Sequence, residues 1–248
     1  MDFRQLLPEP GRVEVQDALD GVRPPASASP DRPYVLVNFI ASADGRSTFA
    51  GRSGALGDDG DRAMFHGLRE RADAVLAGTH TLAVERYGRM LGREERRQRR
   101  LDAGRSAEPI ACIVTRTGEL PTDIPLFAEP EARVLVFTAA DVDLARAQAS
   151  VEVVRLDLGE LTLTTVMRRL RSDHQVEVLL CEGGPTLFGA LLQESLTDEL
   201  FLTVAPNLTG GGSSPAVTSG PELPELRQLR LAWVLERENA LYLRYLVG

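Results

Sequence analysis

The chain has 248 residues, 43% of them hydrophobic, enough for one large α/β domain or two small ones around a real core. Lys and Arg number 28 against 36 Asp and Glu, a formal net charge of −8, which disfavours nucleic acid and anionic membranes as partners. No signal peptide and no apolar run near the ~18 residues of a membrane span are visible, so a soluble cytoplasmic chain with reduced thiols at Cys112 and Cys181 is expected.

Residues 1–33, rich in Pro, Ala and Ser, read as a mobile or surface-draped arm, with a turn of helix in "QDALDG". After it, apolar runs alternate with amphipathic segments. "YVLVNFI" (34–40) reads as a buried strand. Residues 60–72 read as a helix with Asp61 as its N-cap and Met64, Phe65, Leu68 and Ala72 on one face. Strands are expected at 73–78, 110–115, 133–138, 151–156, 176–181 and 198–206, and helices at 141–149, 161–173 and 186–196. The charge run at 93–105, mixed in sign, reads as a solvated helix or loop. "LRLAWVLERE" and "ALYLRYLV" form a hairpin around Asn239. Near-continuous Val/Ile/Leu strands alternating with helices predict a mostly parallel α/β sheet with helices on both faces and an antiparallel C-terminal hairpin.

In open parallel sheets ligands bind beyond the carboxyl ends of the strands, and four clusters of small and polar residues fall there. The first, "CEGGPTL" (181–187), places Gly183, Gly184 and Pro185 where a strand gives way to a helix. Glycines let backbone amides approach a ligand, and a helix N-terminus favours an anion. The loop can therefore cradle a pyrophosphate, with Thr186 adding a donor, or be a tight turn with Glu182 capping amides. It follows neither the Walker loop nor the G-x-G-x-x-G pattern.

"GTHTL" (78–82) offers Gly78 and the hydroxyls of Thr79 and Thr81 for phosphate or ribose, with Glu85 further on, or a helix cap. "VTRTG" (114–118) sets Arg116 after a strand, suited to a phosphate monoester or simply exposed at the surface. "SADGR" (42–46) puts Asp44 past the first strand, to hold a heterocycle's amide edge, to shuttle a proton, or to form an Asp-Gly turn. Residues 51–62 read as a flexible, ligand-covering loop with Ser53 and Asp61 as polar candidates. The three histidines lack ligand spacing, so no metal site is expected.

Taken in this order the clusters resemble the pyrimidine reductase of riboflavin biosynthesis over residues 34 to 247. "NFIASADGR", "LRERADAVLAGTHTL" and above all "CEGGPTLFGALLQESLTDELFLTVAPNLTGGG" carry the likeness. The resemblance implies a dihydrofolate-reductase-like fold in one reductase domain (34–248) and NADPH-dependent hydride transfer to 5-amino-6-(5-phosphoribosylamino)uracil. It implies Thr81 and Glu85 on the cofactor's phosphate or nicotinamide-ribose side and Thr115 and Arg116 at the adenosine 2′-phosphate. Gly183, Gly184, Pro185, Thr186 and Leu187 would hold the pyrophosphate. Asn38, Asp44, Ser53 and Asp61 would line the substrate pocket, with Asp44 as the polar catalytic group. It also implies a homodimer through edge strands, for which the hairpin is suited.

Two stretches depart from the family pattern. "LAVERYGRM" (82–90) stands in place of Asp-Asp-Pro and Leu-Thr-x-Arg, and "SGALGDDGD" (53–61) in place of Ser-x-Trp-Ile-Thr-Gly. Both lie on the substrate side, leaving a second reading as a pterin or dihydrofolate reductase and a third as a non-catalytic NADPH-binding protein. No zinc deaminase motif is present, so a stand-alone reductase is expected.

Overall fold

The computed structural model describes residues 1–248, which divide into two compact units. Unit one holds residues 1–23, 35–68 and 183–248, and unit two holds 24–34 and 69–182. With elements numbered in chain order, unit one carries β1 (Asp2–Leu7), β2 (Gly11–Glu14), α1 (Val15–Asp20), β3 (Tyr34–Ser42) and most of α2 (Asp59–Arg71). It continues with α7 (Pro185–Gln193), β9 (Glu199–Ala205), β10 (Leu229–Arg237) and β11 (Ala240–Val247). Unit two carries β4 (Ala74–Leu76), α3 (Thr79–Val84), α4 (Glu94–Asp102), β5 (Ile110–Thr115), α5 (Pro125–Ala128), β6 (Arg133–Thr138), β7 (Ser150–Arg155), α6 (Leu163–Ser172) and β8 (Val178–Cys181). No helix is long and apolar enough to cross a membrane.

In unit one the strands run β2-β1-β10-β11-β9-β3, antiparallel except for the parallel pair β9–β3. Glu238 and Asn239, with φ of 51° and 72°, form the two-residue left-handed turn that matches the twist of the β10–β11 hairpin. The N-terminal segment differs from the mobile arm expected of it. β1 pairs along β10, Phe3 meets the Tyr242 ring edge-on at 4.9 Å, and Val15 and Leu19 are buried. Leu19 fills the space over Gly67, where an added Cβ would lie 2.5 Å from its Cδ1. The Pro-rich composition of residues 23–33 masked the apolar positions before it.

This placement also corrects the expected route to a dimer. β10 is flanked by β1 and β11, and β11 by β10 and β9, so neither hairpin strand has an edge left to pair with.

Unit two is an all-parallel sheet in the order β8-β4-β5-β6-β7. Its inner strands β8, β4 and β5 are apolar and almost wholly buried, which is why they read as continuous hydrophobic runs. α6 starts at Thr162, whose hydroxyl accepts from the Thr165 amide at 3.1 Å, and buries Leu163, Val166, Met167 and Leu170. The charge run forms α4, more tightly bound than a solvated helix. Arg96 and Arg99 pair with Glu70, while buried Arg100 donates to the carbonyls of Glu70 (2.9 Å) and Ala72 (2.6 Å) at the end of α2.

The helix expected at 141–149 is absent. The Asp143 carboxylate turns the chain by accepting from the Ala145 amide, and the Gln148 and Ala149 amides both donate to the Phe127 carbonyl instead of to a helical turn.

Candidate active site

In unit two, register sets the carboxyl end of β4 level with that of β8, Leu76 beside Cys181, while β5 runs on past Cys112 to Thr115. Gly78 follows β4 as the N-cap of α3, putting Thr79 and Thr81 in its first turn and Glu85 at its C-cap. Thr115 ends β5, 7% exposed, with its hydroxyl 3.5 Å from that of Thr117. Arg116 beside it is exposed. Gly118 (φ +77°) abuts the Asp141 carbonyl, so only glycine fits where this loop turns back.

Glu182, at the end of β8, is held by protein groups. Arg69 donates to it through Nε (2.6 Å) and Nη2 (2.7 Å), and Tyr87 through its hydroxyl (2.8 Å). Arg69 Nη1 donates to the Met90 carbonyl, and its guanidinium lies 5.0 Å from the centre of the Tyr87 ring. Burial opposes the Arg69 charge, but the Glu182 carboxylate outweighs it and keeps the guanidinium firmly protonated. Burial likewise drives the Tyr87 phenol up, so it stays a neutral donor. Both oxygens of Glu182, a residue expected at the cofactor, are thus engaged by Arg69 and Tyr87, which anchor the strand end.

In unit one the glycine loop opens α7. Gly183 has φ +90°, and a Cβ on it would lie 2.7 Å from Phe39 Cζ, so backbone alone fits there. Gly184 is the N-cap and Pro185 the first helical residue, where its missing N–H costs nothing. Phe39 and Phe188 stack at 5.3 Å beneath this turn. The Thr186 hydroxyl lies 3.0 Å from that of Ser219, whose amide donates to the Pro185 carbonyl.

Asp44, expected at the substrate, is held in place by its neighbours. Its carboxylate accepts from the Ser42 hydroxyl (2.5 Å) and from the amides of Thr209 (3.1 Å) and Gly210 (2.9 Å). Those bonds, led by Ser42, hold it well below the usual carboxylate range. Asp44 pins the loop after β9, which Arg46 and Ser47 also hold through the carbonyls of Ser214 and Pro215.

The 51–62 segment is anchored too. Leu56 is buried with Ile40 and Ala205, and its amide donates to the Ser53 carbonyl. Asp58, not Asp61, caps α2: its Oδ1 accepts from the Asp61 amide and from the Tyr242 hydroxyl, both at 2.7 Å. Asp61 therefore sits in the first turn, partly exposed, with its side chain over Gly57, where a Cβ would come within 2.7 Å of Oδ2. Burial raises its pKa to about 6; the Thr203 hydroxyl bond opposes this and the Asp58 charge adds to it. Register pairs Asn38 with Phe201, Ile40 with Thr203 and Ser42 with Ala205, so half-buried Asn38 shares a sheet face with Thr203. A cavity of about 190 Å³ is lined by Leu56, Gly57, Asp58, Thr203, Ala205 and Asn207, among others.

Residues 33–242 match the family described as the RibD C-terminal domain. The chain belongs to that family. Among its relatives, a 2,5-diamino-6-ribosylamino-4(3H)-pyrimidinone 5′-phosphate reductase of Archaeoglobus fulgidus is 28% identical over 76% of this chain and 87% of its own length. A riboflavin biosynthesis protein RibD of Mycobacterium tuberculosis is 34% identical over 72% of this chain, but only 44% of its own length is matched. A pyrimidine reductase-like protein of Corynebacterium diphtheriae superposes with a TM-score of 0.79 at 23% identity, covering 95% of this chain and 99% of that one. The fold is accordingly of the expected dihydrofolate-reductase-like class, with mostly parallel strands and an antiparallel C-terminal pair.

In this RibD C-terminal domain, sequence reasoning missed Asp58, Arg69, Tyr87 and Thr203. Tyr87 was legible only as part of the departure "LAVERYGRM". Thr203 was a single polar residue in an apolar strand, a pattern that gives no hint that a carboxyl lies against it.

Proposed function

We propose that this chain is an NADPH-dependent reductase of riboflavin biosynthesis, reducing the phosphoribosylamino group of a substrate such as 5-amino-6-(5-phosphoribosylamino)uracil to its ribitylamino form. The observation that carries this reading is the glycine loop, where Gly183 leaves bare backbone ahead of the α7 N-terminus. The residues fit the cofactor. A side chain at Gly183 would collide with Phe39, and the helix start favours a pyrophosphate. Gly184, Pro185, Thr186 and Leu187 complete that cradle. In unit two, Gly78, Thr81 and Glu85 are assigned to phosphate and ribose, and Thr115 and the exposed Arg116 fork to the 2′-phosphate. Bound NADPH supplies the hydride. The chain orients the acceptor through Asn38, Ser53 and Asp61, and Asp44 holds the loop after β9 in place.

A second reading, reduction of a dihydropterin or dihydrofolate, is favoured by Asp61 and Thr203, which form a partly buried acid–hydroxyl pair suited to an amino-pyrimidinone ring. A cytoplasmic homodimer completes the proposal. Because the hairpin edges are taken, the contact would be its outer face, where Leu229, Leu231 and Leu241 are exposed. Sedimentation as a monomer at micromolar concentration would overturn that contact.

The test of function is NADPH oxidation followed by absorbance with the phosphoribosylamino-pyrimidine and, separately, dihydrofolate. Turnover of the first supports the pathway reductase, and turnover of dihydrofolate alone supports the second reading. Gly184→Asp, which sets a carboxylate against the pyrophosphate, should abolish NADPH binding. Unchanged affinity would mean the loop is only a turn.

A further inference from the structure

We infer that the N-terminal segment, residues 1–21, is a positioning element of the acceptor site: it seats α2, and the line Phe3–Tyr242–Asp58 sets the first turn of that helix. This rests on the reductase reading above and goes beyond it, because the segment lies outside the residues 33–242 that match the family.

The buried face of α2 carries Gly60, Met64 and Gly67 at helical spacing. Two of the three have no side chain, so neighbouring groups supply the contact. A Cβ on Gly60 would strike the Tyr242 hydroxyl, and a Cβ on Gly67 would meet Leu19 Cδ1 at 2.5 Å. The helix is thus located near both ends by groups that the segment supplies or packs against. Phe3, 2% exposed, holds the Tyr242 ring edge-on at 4.9 Å. The Tyr242 hydroxyl donates to Asp58 Oδ1 at 2.7 Å, and the same oxygen accepts the Asp61 amide in the first helical turn. Burial and the Asp58 carboxylate push the phenol's pKa well up, so it remains a donor.

The segment is fastened at both ends. β1 pairs along β10, with Arg4 opposite Glu236 and ion-paired to it at 2.9 Å. At the other end Arg244 donates to the Gly21 carbonyl (3.3 Å), while two further bonds fix its guanidinium on buried Glu199. The Val15 amide donates to the Met1 carbonyl and closes the segment on itself. What this brace holds is the wall of a cavity. Gly57, Asp58, Thr203 and Ala240 line the 190 Å³ space, and Ala240 shares β11 with Tyr242. A first turn that slips on the Tyr242 ring therefore moves Gly57 and Asp58 against Thr203.

The experiment uses the full chain and two variants that cut different links. Tyr242→Phe deletes the hydroxyl and keeps the ring that Phe3 touches, and Phe3→Ala deletes the ring contact and keeps the hydroxyl. Amide hydrogen exchange over residues 60–64 should quicken by about tenfold or more in both, the worth of one hydrogen bond to a charged group. The KM of the phosphoribosylamino-pyrimidine should rise by a similar factor, with kcat changed less than about threefold and NADPH affinity as in the parent. Phe3→Leu, which refills most of the volume, should restore both readouts. Leu170→Ala truncates the core of unit two, so it should lower stability yet leave KM and the exchange of residues 60–64 unchanged.

Unaltered exchange over residues 60–64 in Tyr242→Phe and Phe3→Ala, a KM that stays put, or a KM that moves equally in Leu170→Ala overturns the inference. If the parent reduces no acceptor, the reductase reading fails and exchange alone decides. Quickening confined to residues 60–64 then keeps the brace, and none, or a quickening alike in both units, removes it.

Discussion

Replacing Asp61 with asparagine should make the protein more stable, by an amount that depends on pH in a fixed direction. Folding raises the Asp61 pKa from 3.8 to about 6, chiefly by burial. The neutral acid is therefore the form the fold prefers. Its contribution is fully present below pH 3.8 and is lost as pH rises through about 6. At 1.36 kcal/mol per pKa unit the interval corresponds to at most ~3 kcal/mol, and partial exposure of the side chain reduces it to about 2 kcal/mol. Asparagine keeps the shape and a hydrogen bond for Thr203 while removing the charge. Asp61→Asn should thus exceed the parent by about 2 kcal/mol at pH 8 and match it near pH 3.5, as read by urea unfolding at both pH values. In a chain of this length the gain corresponds to a rise in Tm of ~4–8 °C. A variant no more stable than the parent at pH 8, or stabilised equally at both pH values, would show that the carboxyl is well solvated and that the cost of burying it was misjudged.

Other perturbations follow from the same geometry. Gly183→Ala introduces a Cβ 2.7 Å from Phe39 Cζ at a left-handed position, so it should lose at least about 1–2 kcal/mol of stability and weaken NADPH binding measured by fluorescence titration. Unchanged values for both would show that the loop relaxes freely. Arg69→Met leaves the Glu182 carboxylate buried beside Tyr87 without its cation, and urea unfolding should show a loss of about 3–5 kcal/mol. A loss below ~1 kcal/mol would mean that water reaches the pair. Arg116→Ala should narrow the preference for NADPH over NADH in steady-state kinetics, and a preference that does not change would move the 2′-phosphate to other groups.

Continuous apolar runs were enough for the inner strands of unit two, because a strand buried on both faces must be apolar at every position, and such runs are legible without knowing what covers them. The hairpin was equally legible, since alternation and an Asn at the turn are local facts. The glycine pair ahead of a helix was readable as a local signal, whereas the approach of Gly183 at φ +90° to Phe39 came only with the fold. Interactions between residues far apart in sequence were decided only by tertiary structure. The first strand at residues 2–7 finds its partner more than 220 residues away, and its sequence neighbourhood argued for a loose arm. Asp44 and Asp61 are both aspartates in polar stretches of sequence, one after β3 and one in the first turn of α2. One meets the Ser42 hydroxyl and two amides that favour its ionised form, and the other is buried near a second acid, which together push its proton affinity up against the Thr203 hydroxyl. A carboxyl's character is set by the dielectric and the donors around it, and only the folded chain supplies those.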